Sequence, residues 1–141
     1  MSIQRFLLTI ALSCLVMATL SWLWHHSFMA ALYQEHTALV REVSLMRLVV
    51  LAYLLLEVIM GVIYPKGYDG GNPLWEGLRF GALIGVLWTL PHDLVLYATG
   101  GNHTGTLIIV DAAWHIVEQA IGGVVVALMY GRDPDGSSPA A

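Results

Sequence analysis

From Phe6 to Trp24 the chain carries no charged residue, and at 1.5 Å rise per residue this run covers roughly the thickness of a bilayer's hydrocarbon core. Lipid satisfies no backbone N–H or C=O, so such a segment crosses as a helix that pairs its amides internally. Three more apolar stretches follow, at about residues 48–64, 80–97 and 106–130. The residues are 57% hydrophobic and only 11% charged, which leaves too little polar surface for a soluble domain. These features predict an all-α, four-helix transmembrane bundle seated in a lipid bilayer. No interior linker rich in Pro, Gly or Ser divides the chain. Residues 1–131 are therefore expected to form a single four-span domain, and 132–141 a polar C-terminal tail.

The first run follows Arg5 directly, as the apolar part of a signal peptide would. It is long for that role, and its aromatic end, Trp22-Leu-Trp24-His25-His26, does not suit a cleavage site. It reads as a retained span, with Trp22 and Trp24 anchoring the interface and His25 and His26 solvated at headgroup level. Residues Ser27 to Arg47 contain no Gly or Pro and are amphipathic, which predicts an interfacial helix or an extension of the second span. Glu35, His36, Arg41, Glu42 and Arg47 supply its wet face. Cys14, the one cysteine, reads as a small hydrophobe. A net charge of -4 without a dense basic cluster predicts no nucleic-acid partner.

Titratable residues inside the spans carry the functional argument. Asp111, His115 and Glu118 fall on one stripe at 100° per residue, and Gly122 continues it. A charged side chain at the bilayer centre costs about 3 kcal/mol on insertion scales, so this stripe should face protein, a cavity or an ion. Glu57 shares a stripe with Tyr53, Met60 and Tyr64, and the two phenols are expected to hydrogen-bond it. In the third span Gly81-Ala-Leu-Ile-Gly85 permits close helix approach. Gly81, Gly85, Trp88 and His92 share an arc, so the close-packed face is expected to present His92. Pro91 predicts a kink beside His92-Asp93, and Thr89 and Tyr97 stand four residues either side of Asp93 as neutral partners.

Glu57, Asp93, Asp111 and Glu118 have no Lys or Arg at their depth in any span. Protonation or a bound cation must offset them. With His92 and His115 they form a donor set suited to a divalent ion, zinc, manganese or iron. The metal site predicted is thus Glu57, His92, Asp93, Asp111, His115 and Glu118. His115-Ile-Val-Glu118 places two of these on one helix face.

No Gly-rich phosphate loop, Ser-His-Asp pattern or zincin motif is present, which weighs against an enzyme without deciding the question. The expected function is binding or conduction of a cation, a divalent metal or a proton, with a homodimer plausible because four spans are few for a transporter. Two alternatives stay open. One is an accessory subunit docking its small-residue faces onto a larger membrane complex; the other is a metal-dependent membrane enzyme acting on a lipid-soluble substrate.

Several segments, Leu20-Ser-Trp22-Leu, Leu32-Tyr33-Gln-Glu-His36, Gly81 to Gly85, Asp93-Leu-Val-Leu-Tyr97-Ala-Thr99 and Asp111-Ala-Ala-Trp114, resemble those of a family of small four-span bacterial inner-membrane proteins of unknown function. The resemblance covers nearly the whole chain. It implies the four-span fold and an Asp pair, with Asp93, Asp111 and Trp114 at the family's motif positions, and it implies no activity. The chain departs from the pattern at Pro91-His92, at His115 and Glu118, and at Ala18 to Ser21, where the family tends to carry an acid. An inner-membrane location follows from the resemblance. Arg5, Lys66, Arg79 and Arg132 fall on one side and Arg41 and Arg47 on the other, which by the positive-inside rule predicts cytoplasmic termini.

Overall fold

The computed structural model describes residues 2–36, 45–68, 70–99 and 104–131. Their regular structure is entirely helical. Helix α1 (Ile3–Leu23) starts at Ser2, whose hydroxyl accepts the Arg5 N–H at 3.3 Å. It widens into a π-helical turn over Trp24–Phe28 and is followed by the short α2 (Ala30–His36). Helix α3 (Met46–Ile63) ends in a 3-10 turn, Tyr64–Lys66. Helices α4 (Pro73–Ala98) and α5 (Gly105–Tyr130) complete the order.

Among the described residues, four helical segments are long and apolar enough to cross a membrane: Ile3–Phe28, Met46–Lys66, Pro73–Ala98 and Gly105–Tyr130. The predicted four-helix architecture is therefore present. The third helix starts earlier than residue 80 because Asn72 caps it, accepting the Leu74 N–H at 2.9 Å, and Pro73 suits a first turn that needs no amide donor. A short helix does lie between the first two spans, Ala30–His36, within the stretch Ser27 to Arg47. Arg41 and Glu42 on its predicted wet face, and the tail 132–141, lie outside the described residues.

Helix α5 is the axis of the bundle: half of its apolar window is buried, against a third or less in the other spans. Its closest neighbour is α4. Gly77, Gly81 and Gly85 make this possible, because a Cβ on them would lie 2.6, 1.9 and 2.5 Å from the carbonyl oxygens of Gly123, Gln119 and His115. Backbone meets backbone over two helical turns, the packing that replaces hydrophobic drive in lipid. Helix α1 packs on α3 and α5 together, through Thr9, Ser13, Met17 and Ser21 at four-residue steps. Met17 fills the space left by Gly122, where a Cβ would meet its sulfur at 2.7 Å. The Thr9 and Ser13 hydroxyls donate to their own helix, at 2.8 and 2.9 Å to the carbonyls of Arg5 and Thr9.

The first turns of α1 and the last of α5 meet at one end of the bundle. There Phe6 covers Gly61, the Tyr130 hydroxyl donates to the Gly61 carbonyl at 3.4 Å, and the Tyr64 ring touches Phe80 and Tyr130.

One sequence expectation fails in α4. Its buried stripe is Gly77, Gly81, Gly85, Thr89 and Asp93, whereas the His92 side chain is 69% exposed and Trp88 is also exposed. The close-packed face thus presents Asp93 rather than His92. A seam built on glycines four apart follows the i, i+4 ridge, and that ridge leads from Gly85 through Thr89 to Asp93. The helix runs on through Pro91 to Ala98.

Candidate functional site

Asp111 stands two turns into α5, at the end of the bundle away from Tyr130, about 9 Å along the axis from Gly105. Its Oδ1 accepts the Tyr33 hydroxyl at 2.5 Å, a contact that α2 makes by folding back over α5. Tyr33 in turn accepts the Trp24 indole N–H at 3.2 Å, and Trp24 stacks on Trp114 with ring centroids 4.2 Å apart. The wide turn after α1, closed by the Met29 N–H on the Trp24 carbonyl at 2.8 Å, carries the chain from Trp24 back to Tyr33. Burial and the bond to Asp111 push the Tyr33 phenol well above the usual tyrosine range, so it serves Asp111 as a neutral donor.

Two histidines flank this carboxylate. His25 Nε2 lies 3.7 Å from Asp111 Oδ1, and His115 Nδ1 lies 3.7 Å from Oδ2. His115 Nε2 points the other way and stands 3.9 Å from Glu118 Oε2. Glu118 is fully buried, and the Tyr53 hydroxyl bridges its two oxygens at 3.1 and 3.2 Å. The rings of His25 and His115 stand edge to face, 6.2 Å between centroids.

Backbone contacts assign the tautomers. His25 Nδ1 is 2.9 Å from the Ser21 carbonyl oxygen, and His115 Nδ1 is 2.9 Å from the Asp111 carbonyl oxygen. A carbonyl oxygen only accepts, so both Nδ1 atoms carry hydrogen, and whenever a ring is neutral its lone pair lies on Nε2. Those Nε2 atoms face Asp111 and Glu118.

Two open clefts reach the cluster. One, of about 410 Å³, is lined by Trp88, Thr89, His92, Asp93, Asp111 and His115. The second, of about 400 Å³, includes Ser21, His25, Tyr53, Trp88 and His115 in its wall. Asp93, 3% exposed, sits on the wall of the first cleft; its Oδ1 is 3.4 Å from His92 Nδ1, while its Oδ2 and the Thr89 hydroxyl have no hydrogen-bond partner.

Of the six residues singled out in the sequence, Asp111, His115 and Glu118 come together, and Asp93 and His92 share a cleft with the first two. Glu57 stands apart. It is fully buried and neither carboxyl oxygen has a hydrogen-bond partner, because Tyr53 is taken by Glu118 and Tyr64 by Glu76, at 3.4 Å. The expected bonds from Tyr53 and Tyr64 to Glu57 are therefore absent. So are those from Thr89 and Tyr97 to Asp93: the Thr89 hydroxyl is unpartnered and Tyr97 is exposed. Among the described residues no three His, Cys, Asp or Glu side chains are drawn together closely enough to hold a metal ion as they stand.

His25, Tyr33 and Tyr53 complete the cluster and were not singled out as site residues. For His25 a signal existed: Ser13, Met17 and Ser21 step by four along α1's buried face, and the next step is His25. It is part-buried, packed against the Tyr33 ring and facing Asp111. Tyr33 and Tyr53 reach partners 78 and 65 residues away, which no local periodicity encodes.

No match is found among curated proteins or among solved structures. A family model described as a predicted membrane protein does match, over residues 6–128, a range that holds every member of the cluster and all four candidate spans except their outermost residues. This chain belongs to that family, DUF2177.

Proposed function

We propose that this membrane protein binds and exchanges a cation, a divalent metal ion or a proton, at the cluster formed by His25, Asp111, His115 and Glu118. One observation carries the reading: two imidazoles have their Nδ1–H groups tied to backbone carbonyls, which leaves two Nε2 lone pairs among carboxylates inside a membrane bundle. Fixing one ring nitrogen by hydrogen bonding is how proteins hold a histidine ready to take a cation on the other. The N···O separations of 3.7 and 3.9 Å exceed a hydrogen bond, and they exceed by less than about half an ångström the ~3.4 Å that a tetrahedral zinc ion sets between two of its donors. A small inward movement of either pair, His25 with Asp111 or His115 with Glu118, sets two donors at that spacing. Asp93, with an unpartnered oxygen on the wall of the adjoining cleft, adds a second carboxylate to the cleft that Asp111 lines.

The rest of the functional reading follows the same line. The chain is one four-span domain of the inner membrane with both termini cytoplasmic, which puts the cluster in the outer half, and it works as a homodimer. The glycine faces that an accessory subunit would offer a partner are taken up by the packing of α4 on α5. Elemental mass spectrometry of the detergent-purified protein tests the metal form. Near-stoichiometric Zn, Mn or Fe in the wild type and none in an Asp111→Asn/His115→Ala double variant is the expected result. Equal metal in both would remove the site from this cluster.

A further inference from the structure

The opposite end of the bundle holds a different kind of cavity. Helices α3 and α4 are not close neighbours; they diverge from a shared anchor at Tyr64, whose ring lies 5.3 Å from that of Phe80. The gap between them is a cleft of about 550 Å³. Its rim carries two cations, Lys66 from the turn that ends α3 and Arg79 from the second turn of α4, both exposed. Among the described residues neither has a carboxylate within ion-pair distance.

The cleft also holds one acid, Glu76, and its oxygens are committed. Oε1 accepts the Gly71 N–H at 2.6 Å and Oε2 accepts the Tyr64 hydroxyl at 3.4 Å. That arrangement spends Glu76 on closing the turn before α4. The charge left over at the rim is positive. Below the rim the walls turn apolar: Ile63 lies one turn inward of Lys66, and Leu83 one turn inward of Arg79. Both are exposed, at 44% and 59%.

A paired cation rim at headgroup level over an apolar slot between spans matches one chemistry, a diacyl lipid with a negatively charged headgroup. We propose that this cleft binds one anionic phospholipid, its phosphodiester held between Lys66 and Arg79 and one acyl chain laid along Ile63 and Leu83. A zwitterionic lipid offers the same chain and phosphate, but its own ammonium competes for the phosphate and is repelled by the two cations. Selectivity therefore resides in Lys66 and Arg79. The site shares no residue with the histidine cluster, so its test is independent of the cation reading.

Native mass spectrometry of the full chain, released from detergent with added phosphatidylglycerol or phosphatidylcholine, measures this directly. One phosphatidylglycerol per chain should persist at collision energies that strip phosphatidylcholine. A Lys66→Gln/Arg79→Gln variant should lose that preference by roughly ten- to thirtyfold, the effect of two surface cations on lipid binding. A Lys66→Arg/Arg79→Lys exchange should keep it. Both variants change exposed side chains, and circular dichroism confirms that they remain helical. Equal retention of the two lipids by the wild type, or undiminished preference in the Gln variant, would overturn the proposal. Displacement of phosphatidylglycerol by millimolar inorganic phosphate would overturn it too, because the cleft would then be a site for soluble anions.

Discussion

Replacing Gly81 with alanine adds one methyl group to the middle of the α4–α5 interface, and the structure says what that methyl meets. Its carbon would lie 1.9 Å from the Gln119 carbonyl oxygen, 2.7 Å from the Gln119 carbonyl carbon and 2.8 Å from Ala120 Cα. All three are backbone atoms, so no side-chain rotation relieves the clash. Restoring the 1.9 Å contact to the 3.4 Å of ordinary van der Waals distance requires the helices to part by about 1.5 Å. Parting them there also loosens Gly77 against Gly123 and Gly85 against His115. Overpacking of a close-packed interior costs ~1–3 kcal/mol, and rigid backbone on both sides places Gly81→Ala at the upper end. The better helix propensity of alanine returns ~1 kcal/mol, which leaves a net loss of about 2 kcal/mol. Gly105→Ala is the control, since a Cβ there has nothing within 4 Å, and at the first residue of α5 it should be neutral or stabilising by up to ~1 kcal/mol. Unfolding in mixed micelles by titration with dodecyl sulfate, followed by tryptophan fluorescence, reads both. Equal stability of Gly81→Ala and the wild type would refute the close backbone packing, and with it the placement of Asp93 opposite Asp111 and His115.

Tyr53→Phe removes the hydroxyl that, among the described residues, alone donates to the fully buried Glu118 carboxyl and should cost ~1–3 kcal/mol in the same titration, whereas Tyr64→Phe, which breaks a 3.4 Å bond while Glu76 keeps its Gly71 donor, should cost less than ~1 kcal/mol. The raised Tyr33 phenol predicts a pH dependence: an acid whose pKa is higher in the folded state stabilises the fold below its unfolded value of about 10, and that contribution is lost as pH rises from there. The stability of the wild type should therefore fall more steeply above pH ~10 than that of Tyr33→Phe, and parallel curves would count against the Tyr33–Asp111 bond. His92→Ala should leave stability within ~0.5 kcal/mol of the wild type, because its side chain is mostly exposed.

Four spans, their approximate limits and the shared stripe of Asp111, His115 and Glu118 were legible from apolar runs and helical period alone, because both are properties of one helix at a time. The partners across the bundle were not. Tyr53 and Glu57 lie on the same buried face of α3, and period alone allows the phenol to serve its own neighbour; only the position of α5 decides that it serves Glu118. Period alone misplaces His92 for a related reason. The arc drawn through Gly85 and His92 uses the three-residue step as well as the four-residue one, and the glycine seam uses the four-residue step only. The two tryptophans before His25 suggest an interfacial position, yet the four-residue repeat of α1 runs straight to it. The π-helical turn that carries the chain from there toward Tyr33 has no composition of its own to announce it.

The central claim in its metal form, a divalent-cation site at His25, Asp111, His115 and Glu118, is tested most directly by isothermal titration of the chelator-stripped protein with Zn²⁺, comparing the wild type with His25→Ala and His92→Ala. One saturable event per chain is predicted, weakened at least ~100-fold by His25→Ala, the upper range for disturbing a metal site, and unchanged by His92→Ala. No binding by the wild type, or loss with His92→Ala while His25→Ala still binds, would contradict it.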